Sequence, residues 1–190
     1  AAVGVDRATL RPLAAQLVRL EPVLRDALLA SAGDEARKLS VDAAETLVLG
    51  QGVPLSWAYV GTAPGLSISM PATWEYADSP GLDGYDFRRE SWYADTLARR
   101  EPFWESGSDE SGMGLLLTCA LPIRALDGRV LGVAALDLTP ARFIDAWLDV
   151  PGLAGAESLL LDRQGRVQVR SSQREIARSM TGYAPVPWEE

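Results

Sequence analysis

The sequence predicts an α+β fold, a mostly antiparallel sheet flanked by helices, with a long helix leading in. Three observations predict it. Leu10, Leu13, Leu17, Leu20, Leu24 and Leu28 recur at steps of three and four, which puts them on one helical face. From Pro54 the period changes to short apolar runs of strand length. Those runs follow one another as hairpins, without the βαβ spacing of a parallel sheet.

Residues 7–31 read as helix. Pro12 suits a first turn, whereas Pro22 sits inside the pattern and should kink or break it. A break follows at residues 31–34, around Gly33. A second amphipathic helix then runs to about Leu49 and stops at Gly50 and Gly52. The leucine stripe fits two uses: packing against the rest of the domain, or a homodimer seam through the N-terminal helix. A coiled coil needs three to four heptads, and the stripe is at that minimum.

Residues 56–61 and 66–70 are expected strands around a turn holding Pro64 and Gly65. Residues 71–87, rich in Pro, Gly and Asp, are expected as loop, residues 88–100 as a polar helix, and residues 106–114 as a second loop. Residues 115–124 and 129–138 form a hairpin at Asp127-Gly128, since both turn residues tolerate positive φ. Thr139 should cap a helix through Leu148, with Pro140 at its first position. A last hairpin, 158–161 with 167–170, turns at Asp162 to Gly165, and the polar, Pro-rich final twenty residues show no clear element.

Composition bounds the function. The chain has 190 residues and mean hydropathy +0.01, which suits one domain or one domain with a small second lobe. It holds no histidine, so no Ser-His-Asp or Cys-His pair and no His-bound zinc can form. Cys119 is the single cysteine, which excludes an intrachain disulfide and a Cys metal cluster. With 26 acidic against 18 basic residues the net charge is -8, which argues against nucleic acid. No apolar run approaches the roughly 18 residues of a membrane helix. No Gly-rich phosphate loop is present either, and no cofactor or metal is indicated.

Three features could carry chemistry. Residues 85–93 pack Tyr85, Phe87, Trp92 and Tyr93 with Asp86, Arg88, Arg89 and Glu90 at a loop-to-helix junction. Rings for apolar contact and charges for orientation are what a small-molecule pocket needs, although the same residues could anchor the helix to the sheet. Asp137 shares a strand face with Val133 and Ala135, and a carboxylate on a buried face needs a partner. Glu75, Asp86, Glu90, Asp109 and Asp137 could in principle supply a catalytic acid and base, but no spacing favours any pair. Asp109 beside Glu110 lacks ligands at EF-hand spacing and reads as a solvated loop. Cys119, in a strand and without a His, reads as a small buried residue.

Taken together, these segments resemble the Cache family of extracellular sensor domains of chemoreceptors, sensor kinases and related membrane receptors. Trp57, Tyr59 and Gly61, with Gly65, match its W-x-Y-x-G strand and turn. Tyr85-Asp86, Arg88 and Trp92-Tyr93 match a Y-D-x-R-x-R-P-W-Y signature. Leu116 to Ile123 resembles the strand that ends apolar-Pro-apolar, and Asp127-Gly128, Gly132-Val133 and Asp137 match the hairpin after it. The match covers about residues 53–140.

The resemblance implies a PAS-like sheet and a membrane-distal pocket whose ligand biases signalling across the membrane. Residues 1–52 would be N-terminal helices and 53–150 the ligand-binding lobe. Residues 151–190 would be a small or truncated membrane-proximal lobe. The resemblance also implies a non-enzymatic, periplasmic or extracellular ectodomain, membrane-anchored in the full-length protein. Its pocket residues would be Tyr85, Arg88, Glu90, Trp92, Tyr93 and Asp137. At the position of the second signature arginine, which grips the ligand carboxylate in amino-acid-binding members, this chain has Glu90, and Ser91 replaces the proline. Glu90 repels a carboxylate unless Arg88 or Arg89 substitutes. The expected ligand is therefore an amine, a neutral polar metabolite or an amino-acid-like molecule. The alternative is a degenerate domain that serves as a spacer or dimerisation element.

Overall fold

The computed structural model describes residues 7–50, 52–71, 86–109, 114–153, 155–174 and 186–187. The first helical run is broken. Arg7–Leu17 (α1) and Glu21–Ser31 (α2) are separated by a 3-10 turn at Val18–Leu20. Pro22 falls in the first turn of α2, where its missing N–H had no intrahelical partner. Pro12, expected in a first turn, lies inside α1 instead, so the Ala8 carbonyl lacks its usual donor four residues on. Gly33, at φ +98°, turns the chain. The next helix starts late: a 3-10 turn at Ala36–Lys38 precedes Val41–Leu49 (α3), and Ser40 caps α3 by accepting the Ala43 N–H.

Trp57–Thr62 (β1) and Ser67–Met70 (β2) pair antiparallel, with Ala58 opposite Met70 and Gly61 opposite Ser67. The helix expected over 88–100 is shorter. A 3-10 turn at Phe87–Arg89 comes first, and extended Glu90 delays the helix to Ser91–Leu97 (α4). Phe103–Asp109 (β3) corrects the expectation of loop at 106–109. Its residues show no apolar alternation, and β3 lies at a sheet edge, where one partner strand supplies the pairing.

Gly114–Arg124 (β4) and Val130–Leu138 (β5) follow, with Gly128 at φ +85° in their turn. Thr139 caps Pro140–Phe143 (α5) by accepting the Arg142 N–H, and a π turn at Ile144–Leu148 continues it. Leu159–Leu161 (β6) and Arg166–Arg170 (β7) make the last expected hairpin, with Asp162 accepting the Gln164 and Arg166 N–H groups in its turn. Val186–Pro187 (β8) adds to β7, an element that the Pro-rich tail does not announce.

The strands form an antiparallel five-stranded sheet, ordered β2-β1-β5-β4-β3, and a three-stranded sheet, β6-β7-β8. In the larger sheet only the β1–β5 pairing joins strands that are not consecutive. The chain divides into two compact units, Ala1–Trp104 with Cys119–Leu136, and Glu105–Thr118 with Asp137–Glu190. In this division α1–α3 stay with β1 and β2, and residues 137–150 go with the C-terminal hairpin.

In the larger unit, alternate residues of the same strands feed two cores. Leu17, Leu24, Leu28 and Leu29 of the first helices and Ala44 and Val48 of α3 bury with Ala58, Val60 and Met70, and Ala134 and Leu136 pack beside them. The leucine stripe from Leu13 to Leu28 thus packs into the domain's own core. The intervening residues, Tyr59, Val133 and Ala135, pack with Phe87, Trp92 and Tyr93.

Candidate functional site

The aromatic face is assembled by the 3-10 turn at Phe87–Arg89 and by α4, which lays its first turn on β1. Trp92 meets Tyr59 edge-on, with ring centres 5.0 Å apart and planes at 86°. Phe87 stacks on Trp92 at 5.8 Å and 21°, and Tyr93 meets both Phe87 and Trp92 edge-on. Both arrangements satisfy the ring quadrupoles. Tyr93 is buried, which pushes its phenol pKa up, while Trp92 is half-buried.

Gly61 makes this closeness feasible. A Cβ there would stand 2.6 Å from Phe87 Cε2 and 3.0 Å from Trp92 Cη2. Gly132 does the same for the strand pair: its Cβ would stand 2.2 Å from the Gly61 carbonyl oxygen. Both glycines occur in the segments that carry the resemblance, but their contacts, like the involvement of the Ala63 carbonyl and of Thr118, have no signature in the sequence.

Asp86 opens the 3-10 turn as its cap, accepting the Arg88 backbone N–H at 3.2 Å. The Arg88 side chain then folds back on it. Nε and Nη2 donate to the two Asp86 carboxylate oxygens at 2.7 Å each, a bidentate charge-assisted pair. Nη1 donates to the Ala63 carbonyl at 3.3 Å, in the β1–β2 turn. The hydrogen bonds from the Arg88 side chain, more than any other influence, hold the Asp86 carboxyl down to about 2. Ala63 is itself tied to β5, donating its N–H to the Leu131 carbonyl at 2.9 Å.

Of the six predicted site residues, Arg88, Glu90, Trp92 and Tyr93 come together in the larger unit. Arg88 is engaged by Asp86, and Arg89 is exposed. The Glu90 carbonyl accepts the N–H groups of Tyr93 and Ala94, so this residue starts α4. Asp137 belongs to the smaller unit, is 7% exposed, and accepts the Thr118 hydroxyl at 2.8 Å. That donor is what a buried carboxylate requires. Tyr85 and Glu75 lie outside the described residues.

Burial pushes the Cys119 thiol up, which makes it a poor nucleophile. Among the described residues no group of three or more Cys, Asp or Glu side chains could hold a metal ion. No helix among them is long and apolar enough to cross a membrane.

No protein-family model matches the chain, and no curated protein does. Solved structures do. The ligand-binding domain of the Pseudomonas fluorescens chemoreceptor CtaA, in complex with L-valine, is similar with a TM-score of 0.50 and 19% identity. That match covers 84% of this chain and 66% of CtaA's. The ligand-binding domain of the Pseudomonas aeruginosa PAO1 amino acid chemoreceptor PctB, in complex with L-Gln, is similar with a TM-score of 0.50 and 21% identity, over 81% of this chain and 66% of PctB's. The matched region therefore spans just under two thirds of those domains. The chain shares their fold, the PAS-like fold of Cache-type sensor domains.

Proposed function

We propose that this chain is the small-molecule-sensing ectodomain of a bacterial transmembrane receptor, a binding module and not an enzyme, displayed on the periplasmic or extracellular face. Its ligand is an amine, or an amino-acid-like molecule recognised through its ammonium group and not its carboxylate. One observation carries the second part. Arg88 is closed on Asp86 and on the Ala63 carbonyl, while the neighbouring position that would grip a carboxylate is Glu90. Tyr59 and Trp92 supply half-buried aromatic surface, and ring faces attract cations. The shared fold and the amino acids present in the similar structures support a ligand of that size.

Titration calorimetry with a matched set, butylamine, butyrate and L-valine, tests this reading. Butylamine should bind, L-valine more weakly, and butyrate not at all. Binding of butyrate without binding of butylamine would sink it. Silence from all three, extended to a broad metabolite screen by thermal shift, would favour a spacer, because a ligand of the folded state must raise the melting temperature.

A further inference from the structure

We propose that Asp86 determines the specificity of this aromatic site by withholding the Arg88 guanidinium from ligands; the inference rests on the ligand-binding reading above. The site has an arginine of the right kind in the right segment. Arg88 is four residues before Trp92 and is partly exposed. A free guanidinium in this position would suit a carboxylate. The Nε–Nη2 edge of Arg88, the one that forms a bidentate pair, is instead taken by the two oxygens of Asp86, and Nη1 donates to the Ala63 carbonyl.

The competition is unequal for a physical reason. Asp86 is two residues away on the same chain and is itself held, since its Oδ1 also accepts the Arg88 backbone N–H. A tethered, oriented carboxylate acts at a far higher effective concentration than a free ligand at metabolite levels. The pair is also close to neutral as a unit. Removing the Asp86 carboxylate would break the bidentate ion pair, leaving Arg88 the Ala63 carbonyl and at most one neutral side-chain acceptor, so that Nη2 is free to turn to a ligand.

The test uses Asp86→Asn and Asp86→Ser in the intact chain. Both keep a side-chain acceptor for the Arg88 N–H and so preserve the cap. Calorimetry is run with butyrate and with butylamine, and near-UV circular dichroism follows the packing of the rings. Either folded variant should bind butyrate at least about tenfold more tightly than the parent and butylamine about tenfold more weakly, the scale of a gained and a repelled charge. Adding Arg88→Met to Asp86→Asn should abolish the butyrate gain.

The inference fails if a variant with the parent's ring signals still refuses butyrate, or if the gain survives Arg88→Met. Loss of the fold in both Asp86 variants would overturn it as well, since Asp86 would then be a requirement of the fold. The two readings fail separately. A parent that ignores butylamine sinks the ammonium preference, whereas a butyrate gain on removing Asp86 stands without it.

Discussion

The two faces of the sheet in the larger unit are cut from the same strands and built differently. Ala58 and Val60 of β1 and Ala134 and Leu136 of β5 face a layer of aliphatic helices. Tyr59, Val133 and Ala135, one residue out of phase, face the rings of Phe87, Trp92 and Tyr93. The helix face is closed with interchangeable shapes: Leu28 is fully buried and Val48 nearly so. The ring face depends on glycines at 61 and 132, on edge-on ring geometry, and on an ion pair at its margin. The difference teaches that a one-residue alternation lets the same strands feed an aliphatic core on one face and an aromatic one, the proposed recognition surface, on the other.

Breaking the helix face should have the largest effect on stability and the least on binding. Leu28→Ala should lower the unfolding free energy by about 3 kcal/mol, the cost of a large-to-small change at a fully buried site. Urea denaturation measures it, and calorimetry on the folded fraction should find ligand affinity unchanged. A parallel loss of affinity would mean that the two faces are not independent.

Next come the glycines. Gly132→Ala drives a methyl against the Gly61 backbone oxygen, which cannot turn aside, and should cost about 2 kcal/mol. Gly61→Ala meets ring atoms of Phe87 and Trp92, which can rotate, and should cost about 1 kcal/mol. Its signature should be a changed near-UV spectrum and weakened ligand binding. The opposite ranking in urea would show that the ring stack is stiffer than the strand pair.

The smallest effect is one of pH. Asp86 has its pKa depressed from an ordinary 3.8 to about 2, chiefly by the hydrogen bonds from Arg88. A group depressed on folding stabilises above its unfolded value, and that share is lost as pH falls through the folded one. Stability should therefore fall between about pH 4 and pH 2, and Asp86→Asn should flatten that part of the acid limb. Leu28→Ala should lower the whole curve without changing its slope there. Thermal melts across this range distinguish the two.

Much of the fold is legible in the residues. The Gly128 and Gly165 turns, the Thr139 cap and the break at Gly33 all fall where their chemistry predicts. The helix starts were harder. Ser40 and Glu90 reset them because an extended cap residue ends what periodicity alone would continue. β3 was illegible because an edge strand of polar residues carries no apolar period. Within the candidate site, the aromatic content of residues 85–93 and the acidic replacement at Glu90 are visible in sequence. The closure of Arg88 on Asp86 is not, because a short acid-x-base spacing is compatible with a free arginine.

The sequence by itself determined what depends on neighbours a few residues apart: the leucine period, the turn glycines, the caps, the clustering of rings, and the charge at position 90. The tertiary structure alone decided which use those residues serve. Pairing of β1 with β5 sets which residues of each strand face the helices and which face the rings. It also brings Gly132 against Gly61, and a contact across 25 residues seats Arg88 on Ala63. Such choices rest on burial and close approach between distant segments, and local propensity carries no information about them.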